Sequence, residues 1–228
     1  MGNLFSSISI EKELEAAIAK NDIAKFRLLT SNPKRMKKLF LSRRSMLHAI
    51  KNNNLEIVEY LLSNFALPYE TENFMLCVSL GRIECAKLFI KYKCSVNCLD
   101  SYCYKCDSRG AFFAGFPCRI CKEKFDINKT TITPLTYACK RNDYEMAEFL
   151  IENGAKPNVN SSVTPLIYAL RNNNTKLVIL LLKKGARLAK CSSDPESPLD
   201  YARSLGNKKL IDLFIDINEG KIEALDAC

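Results

Sequence analysis

Six stretches of this chain repeat one another at a spacing close to thirty residues, and that periodicity limits the fold more than any single motif does. Marking the second position of each recurring amphipathic segment gives Ala24, Glu56, Glu84, Glu145, Lys176 and Lys209, separated by 32, 28, 61, 31 and 33 residues. A unit this short buries too little apolar surface to fold alone, so neighbouring copies must stack into a shared core. The long interval equals about one period plus a further 28 residues. Something is therefore inserted between the third and fourth copies, roughly from Cys98 to Thr130.

The most complete copy is Thr133 to Asn158, TPLTYACKRNDYEMAEFLIENGAKPN. Thr133-Pro134 opens a helix, Arg141-Asn142-Asp143 interrupts it, a second helix runs from Tyr144 to Glu152, and Gly154 lets the chain turn back. This unit resembles an ankyrin repeat. Further copies run over Glu11–Thr30, Ser45–Ser63, Asn73–Asn97, Thr164–Leu188 and Ser197–Phe214, so the resemblance covers about 190 of the 228 residues. It implies an all-α ankyrin-repeat solenoid of about six helix-turn-helix repeats with a small cysteine-rich insertion. The expected layout is a flexible N-terminus over 1–10, repeats over 11–97, the insertion over 98–130, repeats over 131–217, and a tail over 218–228.

Within the copies, the apolar residues fall at helical spacing. Leu14, Ala17, Ile18, Phe26 and Leu29 form such faces in the first copy, and Ile57, Val58, Leu61 and Leu62 in the second. The first copy has the helix pair without a preceding turn, as a capping repeat would. Cys77 takes the place of Ala138, Cys85 that of Met146 and Cys94 that of Ala155, which makes them small core residues. His48, the one histidine, aligns with Tyr137, one residue beyond the histidine of the family's TPLH signature. It reads as a helix-face residue.

The insertion carries Cys103-Tyr-Lys-Cys106 and Cys118-Arg-Ile-Cys121. Two residues between cysteines let both thiolates of a tight turn reach one metal ion, and two such turns complete the tetrahedral sulfur site that zinc prefers. Between them lie the eleven residues DSRGAFFAGFP, whose Gly110, Gly115 and Pro117 suit a chain reversal. So small a segment needs a staple. The expectation is a structural zinc on Cys103, Cys106, Cys118 and Cys121, with no open coordination position for a catalytic water. Tetrahedral iron accepts the same ligands, and Cys94 or Cys98 could replace Cys103. Disulfides would require an oxidising compartment that nothing else in the sequence supports. Phe112, Phe113, Phe116 and Phe125 read first as a mini-core over the metal turns, and alternatively as an exposed aromatic tip.

Charge is uneven along the chain. With 34 Lys and Arg against 25 Asp and Glu, the net charge is +9, which suits an acidic partner, a nucleic acid or an anionic membrane. Lys34, Arg35, Lys37, Lys38, Arg43 and Arg44 form a run with no acid among them, in the loop and turn between the first two copies, and it reads as a surface for a partner or an anionic layer. Met1-Gly2-Asn3-Leu4-Phe5-Ser6 fits the N-myristoylation pattern at Gly2. One acyl chain holds a membrane only marginally, whereas a chain with a polybasic patch attaches stably. No secretory signal pattern precedes the first copy and no run is long enough to span a bilayer. The cytoplasm is the expected location, with the cytosolic face of a membrane or the nucleus as alternatives.

No catalytic constellation emerges, so an enzyme is not expected: there is no phosphate-binding glycine loop, nucleophile motif or carboxylate cluster outside ordinary helix faces. The family resemblance implies protein binding through turn tips and the concave face. The expected role is a non-enzymatic adaptor or scaffold for another protein with an acidic surface, with no small-molecule substrate. In a stack of such repeats the Lys34 to Arg44 run, Lys91, Lys93, the insertion, Lys183, Lys184, Arg187 and Lys190 would fall toward one basic edge. A nucleic-acid binder using that edge and the four-cysteine module is the first alternative, although the insertion itself balances Arg109, Arg119, Lys122 and Lys124 against Asp100, Asp107, Glu123 and Asp126. A ubiquitin-ligase adaptor is the second, weakened because such modules usually need eight ligands for two zinc ions.

Overall fold

The computed structural model describes residues 2–31, 41–64, 70–103, 108–109, 131–158, 163–188 and 197–219. These divide into two compact units, Met1–Ser95 and Val96–Cys228. In the first unit the helices are α1 (Gly2–Ala19), α2 (Ile23–Thr30), α3 (Leu41–Lys51), α4 (Leu55–Asn64), α5 (Glu70–Ser79) and α6 (Ile83–Lys91). In the second they are α7 (Pro134–Lys140), α8 (Tyr144–Glu152), α9 (Pro165–Arg171), α10 (Thr175–Lys183), α11 (Pro198–Ser204) and α12 (Lys208–Asn218). Each unit is a stack of antiparallel helix pairs. In the first, α1, α3 and α5 pack in succession and so do α2, α4 and α6; in the second, α7, α9 and α11 pack in succession and α8 lies on α10.

One corner, repeated in every pair, explains the period. The residue before the second helix's cap is left-handed each time: Asn21, Asn53 and Gly81 in the first unit, and Asn142, Asn173 and Gly206 in the second, with φ between 50° and 67°. Asparagine and glycine tolerate that region better than other residues. The next residue's N–H then reaches back to a carbonyl of the first helix, as from Asp22 to Ala17 at 2.8 Å, Arg82 to Cys77 at 2.9 Å, Asp143 to Ala138 at 3.0 Å and Asn207 to Ala202 at 3.2 Å. That bond satisfies a helix-end carbonyl and starts the second helix in one step. Asp22, Asp143, Asn174 and Asn207 also cap it, their side chains accepting from the N–H three residues on.

The first helices of the second unit begin as their sequence dictates. Thr133, Thr164 and Ser197 are N-caps, each followed by proline at the first helical position, where no N–H is needed. Ser197 and Asp200 complete a reciprocal capping box. The slots shared by Ala17, Ala49, Cys77, Ala138, Ala169 and Ala202 are at most 1% exposed, as tight helix crossing requires. Cys77 and Cys85 are both buried, as core residues should be.

Three boundaries differ from the sequence expectation. Residues 1–10, expected to be flexible, lie mostly within α1, which starts at Gly2. With Leu14, Ala17 and Ile18 anchored in the core, and no proline or further glycine upstream to interrupt it, extending the helix costs little. The segment ending in Arg43 and Arg44, expected as loop and turn, is already helical from Leu41. The last helix carries on to Asn218, one residue into the expected tail.

The second unit also contains strands β1 (Asp100–Cys103), β2 (Ser108–Arg109) and β3 (Thr131–Ile132), in the order β2-β1-β3. β1 pairs antiparallel with β3, setting Asp100 opposite Ile132 and Ser101 opposite Thr131. The insertion thus leaves and re-enters the repeat array at adjacent positions. Asn97, near the start of this unit, makes a contact that recurs further along it. Its side chain donates to the Gly154 carbonyl at 3.0 Å and accepts from the Lys156 N–H at 2.8 Å, just as Asn158 engages the Gly185 carbonyl at 2.6 Å and the Arg187 N–H at 3.0 Å.

Candidate functional site

The structure treats the expected site residues unequally. Cys103 is the last residue of β1 and pairs with Ser108 across an antiparallel ladder. Four residues connect that pair, and Cys106 is the third of them. Of the four cysteines expected to hold a metal, Cys103 is the one whose backbone is described, at the end of a strand. Cys106, Cys118 and Cys121 lie outside the described residues, as do Phe112, Phe113, Phe116 and Phe125. Among the described residues no group of three or more His, Cys, Asp or Glu side chains is placed to hold a metal ion. Cys94 and Cys98 are half-buried. Cys94 donates its N–H to the Phe89 carbonyl at 3.0 Å, the same bond Ala155 makes to Leu150, so its backbone belongs to the repeat.

Gly2 begins α1, and Arg43 and Arg44 stand in the first turn of α3. Lys34, Arg35, Lys37 and Lys38 lie outside the described residues. No helix among the described residues is long and apolar enough to cross a membrane. His48 is half-buried on α3, its carbonyl accepting from the Asn52 side chain at 2.9 Å.

A constellation the sequence reading did not single out lies on the first helices of the second unit. Tyr137, Tyr168 and Tyr201 occupy one slot, immediately before the small residues Ala138, Ala169 and Ala202, and all three rings are half-buried. A cation follows three residues later in two of the copies, one helical turn away. The Lys140 ammonium lies 5.8 Å from the Tyr137 ring centre. The Arg171 guanidinium lies 5.5 Å from the Tyr168 ring and 5.6 Å from the Tyr201 ring, and its Nε donates to the Tyr201 hydroxyl at 3.1 Å. Partial burial disfavours the charged form of Lys140 and draws its pKa below the usual lysine value. The corresponding pairs in the first unit are Ala16 with Ala19, His48 with Lys51 and Leu76 with Ser79, so no such series exists there. The signal was available as an aromatic residue before the conserved-size slot with a basic residue three later. It was missed because each tyrosine taken alone reads as ordinary helix surface.

The second helices of the first unit enclose an open cleft of about 560 Å³, lined by Arg27, Glu56, Glu59, Tyr60, Ser63, Asn64 and Tyr92. Its groups largely satisfy one another. Arg27 stacks on Tyr60 at 5.6 Å, Tyr60 bonds Thr30 at 3.1 Å, and Glu59 binds Lys91 at 2.7 Å and thereby raises the lysine's pKa.

The buried thiols are no better suited to chemistry. Burial pushes the Cys139 thiol far up, and burial with the neighbouring Cys85 thiol does the same to Cys77. Cys85 is lowered chiefly by the hydrogen bond from Cys77, but it has no solvent access.

Comparison with known proteins agrees with this architecture. The family model for "Ankyrin repeats (3 copies)" matches residues 14–100, and that for "Ankyrin repeats (many copies)" matches residues 135–182, together more than half of the chain. Among solved structures, an ankyrin repeat domain from Acinetobacter baumannii superposes with a TM-score of 0.63 at 19% identity, over 90% of this chain and 97% of that one. At that identity the likeness concerns the fold. None of the curated proteins compared matches the chain.

Proposed function

Because the chain belongs to the ankyrin-repeat family, whose repeats generally mediate protein–protein interaction, we propose that it is a non-enzymatic adaptor or scaffold for a protein with an acidic surface. One observation supports this reading above the others. The corners of the helix pairs share one backbone geometry, while the slot before the small residue of each first helix changes between units, from Ala16, His48 and Leu76 to Tyr137, Tyr168 and Tyr201. A scaffold that fixes its backbone and varies its face is suited to recognition rather than to one chemistry.

In this reading the insertion is a recognition element stapled by zinc. Cys103, Cys106, Cys118 and Cys121 would hold the ion, which supplies folding energy and no reaction. The net charge of +9 favours an acidic partner. A myristoyl group on Gly2 acting with Lys34, Arg35, Lys37, Lys38, Arg43 and Arg44 would place the protein at the cytosolic face of a membrane.

The test is affinity capture from cell lysate with the full chain, beside a variant in which an Asn-Gly turn replaces residues 102–130. That replacement keeps Asp100 and Ser101 paired with Ile132 and Thr131. The expected result is a protein partner whose recovery falls when the insertion is removed. Recovery of nucleic acid in its place, with steep salt sensitivity, would favour the alternative of a nucleic-acid binder. Metal content should be about one zinc per chain and should be lost with Cys103→Ser or Cys118→Ser. A C-terminal fluorescent fusion should leave the membrane on Gly2→Ala.

A further inference from the structure

The second helices of the second unit carry opposite charges on neighbours, and the arrangement complements itself. We infer that α8 and α10 form the contact surface for a second copy of this chain, α8 of each protomer lying across α10 of the other. The inference goes beyond the protein-binding reading above and stands apart from it, because the first helices, α7, α9 and α11, pack in a succession of their own.

Three observations carry it. First, the charges are opposed and uncommitted. Glu145 and Glu152 on α8, and Lys176 and Lys183 on α10, are exposed, and none of the four makes an ion pair or a side-chain hydrogen bond among the described residues. Glu145 shares its slot with Lys176, and Glu152 shares its slot with Lys183. Packed helices stand about 8–10 Å apart, so within one chain the opposite charges lie side by side without meeting. Second, the register closes. Both helices have 9 residues and run the same way, as second helices of stacked pairs do. On each, the two charges stand at i and i+7, two helical turns and about 10 Å along the axis. A two-fold axis between α8 and α10 sets α8 antiparallel to α10 of the partner. Glu145 then meets Lys183 of the partner subunit, Glu152 meets Lys176 of the partner subunit, and symmetry doubles both pairs. Phe149 and Leu180, half-buried and lying between the charges of their own helices, meet at the centre.

Third, the other second helices lack the pattern. Their equivalent slots hold Ala24 with Ser31 at α2, Glu56 with Ser63 on α4, Glu84 with Lys91 on α6, and Lys209 with Asp216 on α12. Lys91 is already bound to Glu59 at 2.7 Å. The net charge of +9 opposes association of two copies. Charges separated by more than about 8 Å are largely screened at physiological salt, so the contacts at the face decide. Two facing helix pairs make a small contact, and exposed ion pairs are individually weak. The dimer is therefore weak and reversible.

Sedimentation velocity of the full-length protein, from about 5 to about 500 μM at about 0.1 M salt, tests this. The protein should pass reversibly from monomer to dimer, and the dimer should weaken at about 0.5 M salt. Glu145→Lys with Glu152→Lys leaves the four positions wholly basic, and Lys176→Glu with Lys183→Glu leaves them wholly acidic. Each variant alone should dimerise at least about tenfold more weakly, with an unchanged far-UV circular dichroism spectrum. Mixed one to one, the two variants should associate with each other. A chain carrying all four changes should dimerise as the unchanged protein does.

A monomer at every concentration, undiminished dimers in either variant, or no association in the mixture would overturn the inference. So would growth past the dimer, because a two-fold contact closes on itself. None of these results bears on the capture of a protein partner described above, whose failure would remove that reading separately.

Discussion

The third and fourth repeats have the same backbone built from different residues. At the corner between helices, the fourth uses Asn142 and Asp143, and Asp143 caps α8 by accepting from Met146 at 3.1 Å. The third uses Gly81 and Arg82; Arg82 makes no side-chain cap and reaches instead to the Lys51 carbonyl at 3.3 Å. Its Nε has no partner among the described residues, and neither has the buried Asn73 Nδ2. After the second helix, the fourth repeat turns on Gly154 and the third on Lys93, whose φ of 68° is uncommon for a residue with a side chain. The closing backbone bonds nonetheless match, Cys94 to Phe89 at 3.0 Å and Ala155 to Leu150 at 2.9 Å. Helix packing therefore imposes the geometry, and the local residues set how much they add to it or subtract from it.

Core truncation should give the largest effects and show whether the two repeats depend equally on packing. Phe89 and Leu150 occupy one slot and are at most 1% exposed. Replacing either with Ala should cost about 3–5 kcal/mol. Hydrogen exchange should localise the lost protection to α5 and α6 for Phe89→Ala, and to α7 and α8 for Leu150→Ala. Protection lost equally across both units in each case would break the comparison.

The caps come next. Asp143→Ala should cost about 1 kcal/mol in urea unfolding, while Arg82→Ala should cost clearly less, having no cap to lose. An equal loss would mean that Arg82 does more for its corner than its contacts imply. Lys93→Gly should stabilise the protein by up to about 1 kcal/mol, whereas Gly154→Ala should destabilise it by about 1 kcal/mol. Gly154 has open space around a would-be Cβ, so the cost there would come from its φ of 89° alone. The smallest effect belongs to the exposed pair of Lys87 and Glu84, 2.7 Å apart. Glu84→Gln should leave the unfolding midpoint unchanged within error, as for most surface ion pairs.

Most of the fold was legible because its signals are local. An Asn or Gly followed by Asp or Asn, and Thr or Ser followed by Pro, act through bonds that span three to five residues. The chain therefore declares its helix pairs wherever they fall, and the six marks, Ala24 to Lys209, are each the second residue of a second helix. The helix starts at Gly2 and Leu41 were less legible, because no cap or proline marks them and neighbouring structure sets how far a helix extends.

Sequence alone determined the number of repeats, their corners, and the point at which the array is interrupted. The paired CxxC turns of the insertion were likewise visible only as spacing, and of the four cysteines Cys103 is the one given a structural place. Tertiary structure decided what residues distant in the chain do together. It put Asp100 beside Ile132 at the base of the insertion, joined Asn97 to Gly154 across it, and set Arg171 between tyrosines 3 residues before it and 30 residues after it. Such contacts have no local bond to announce them. They exist because stacking brings equivalent slots of successive repeats within reach of one another, and a recognition face is built at that level.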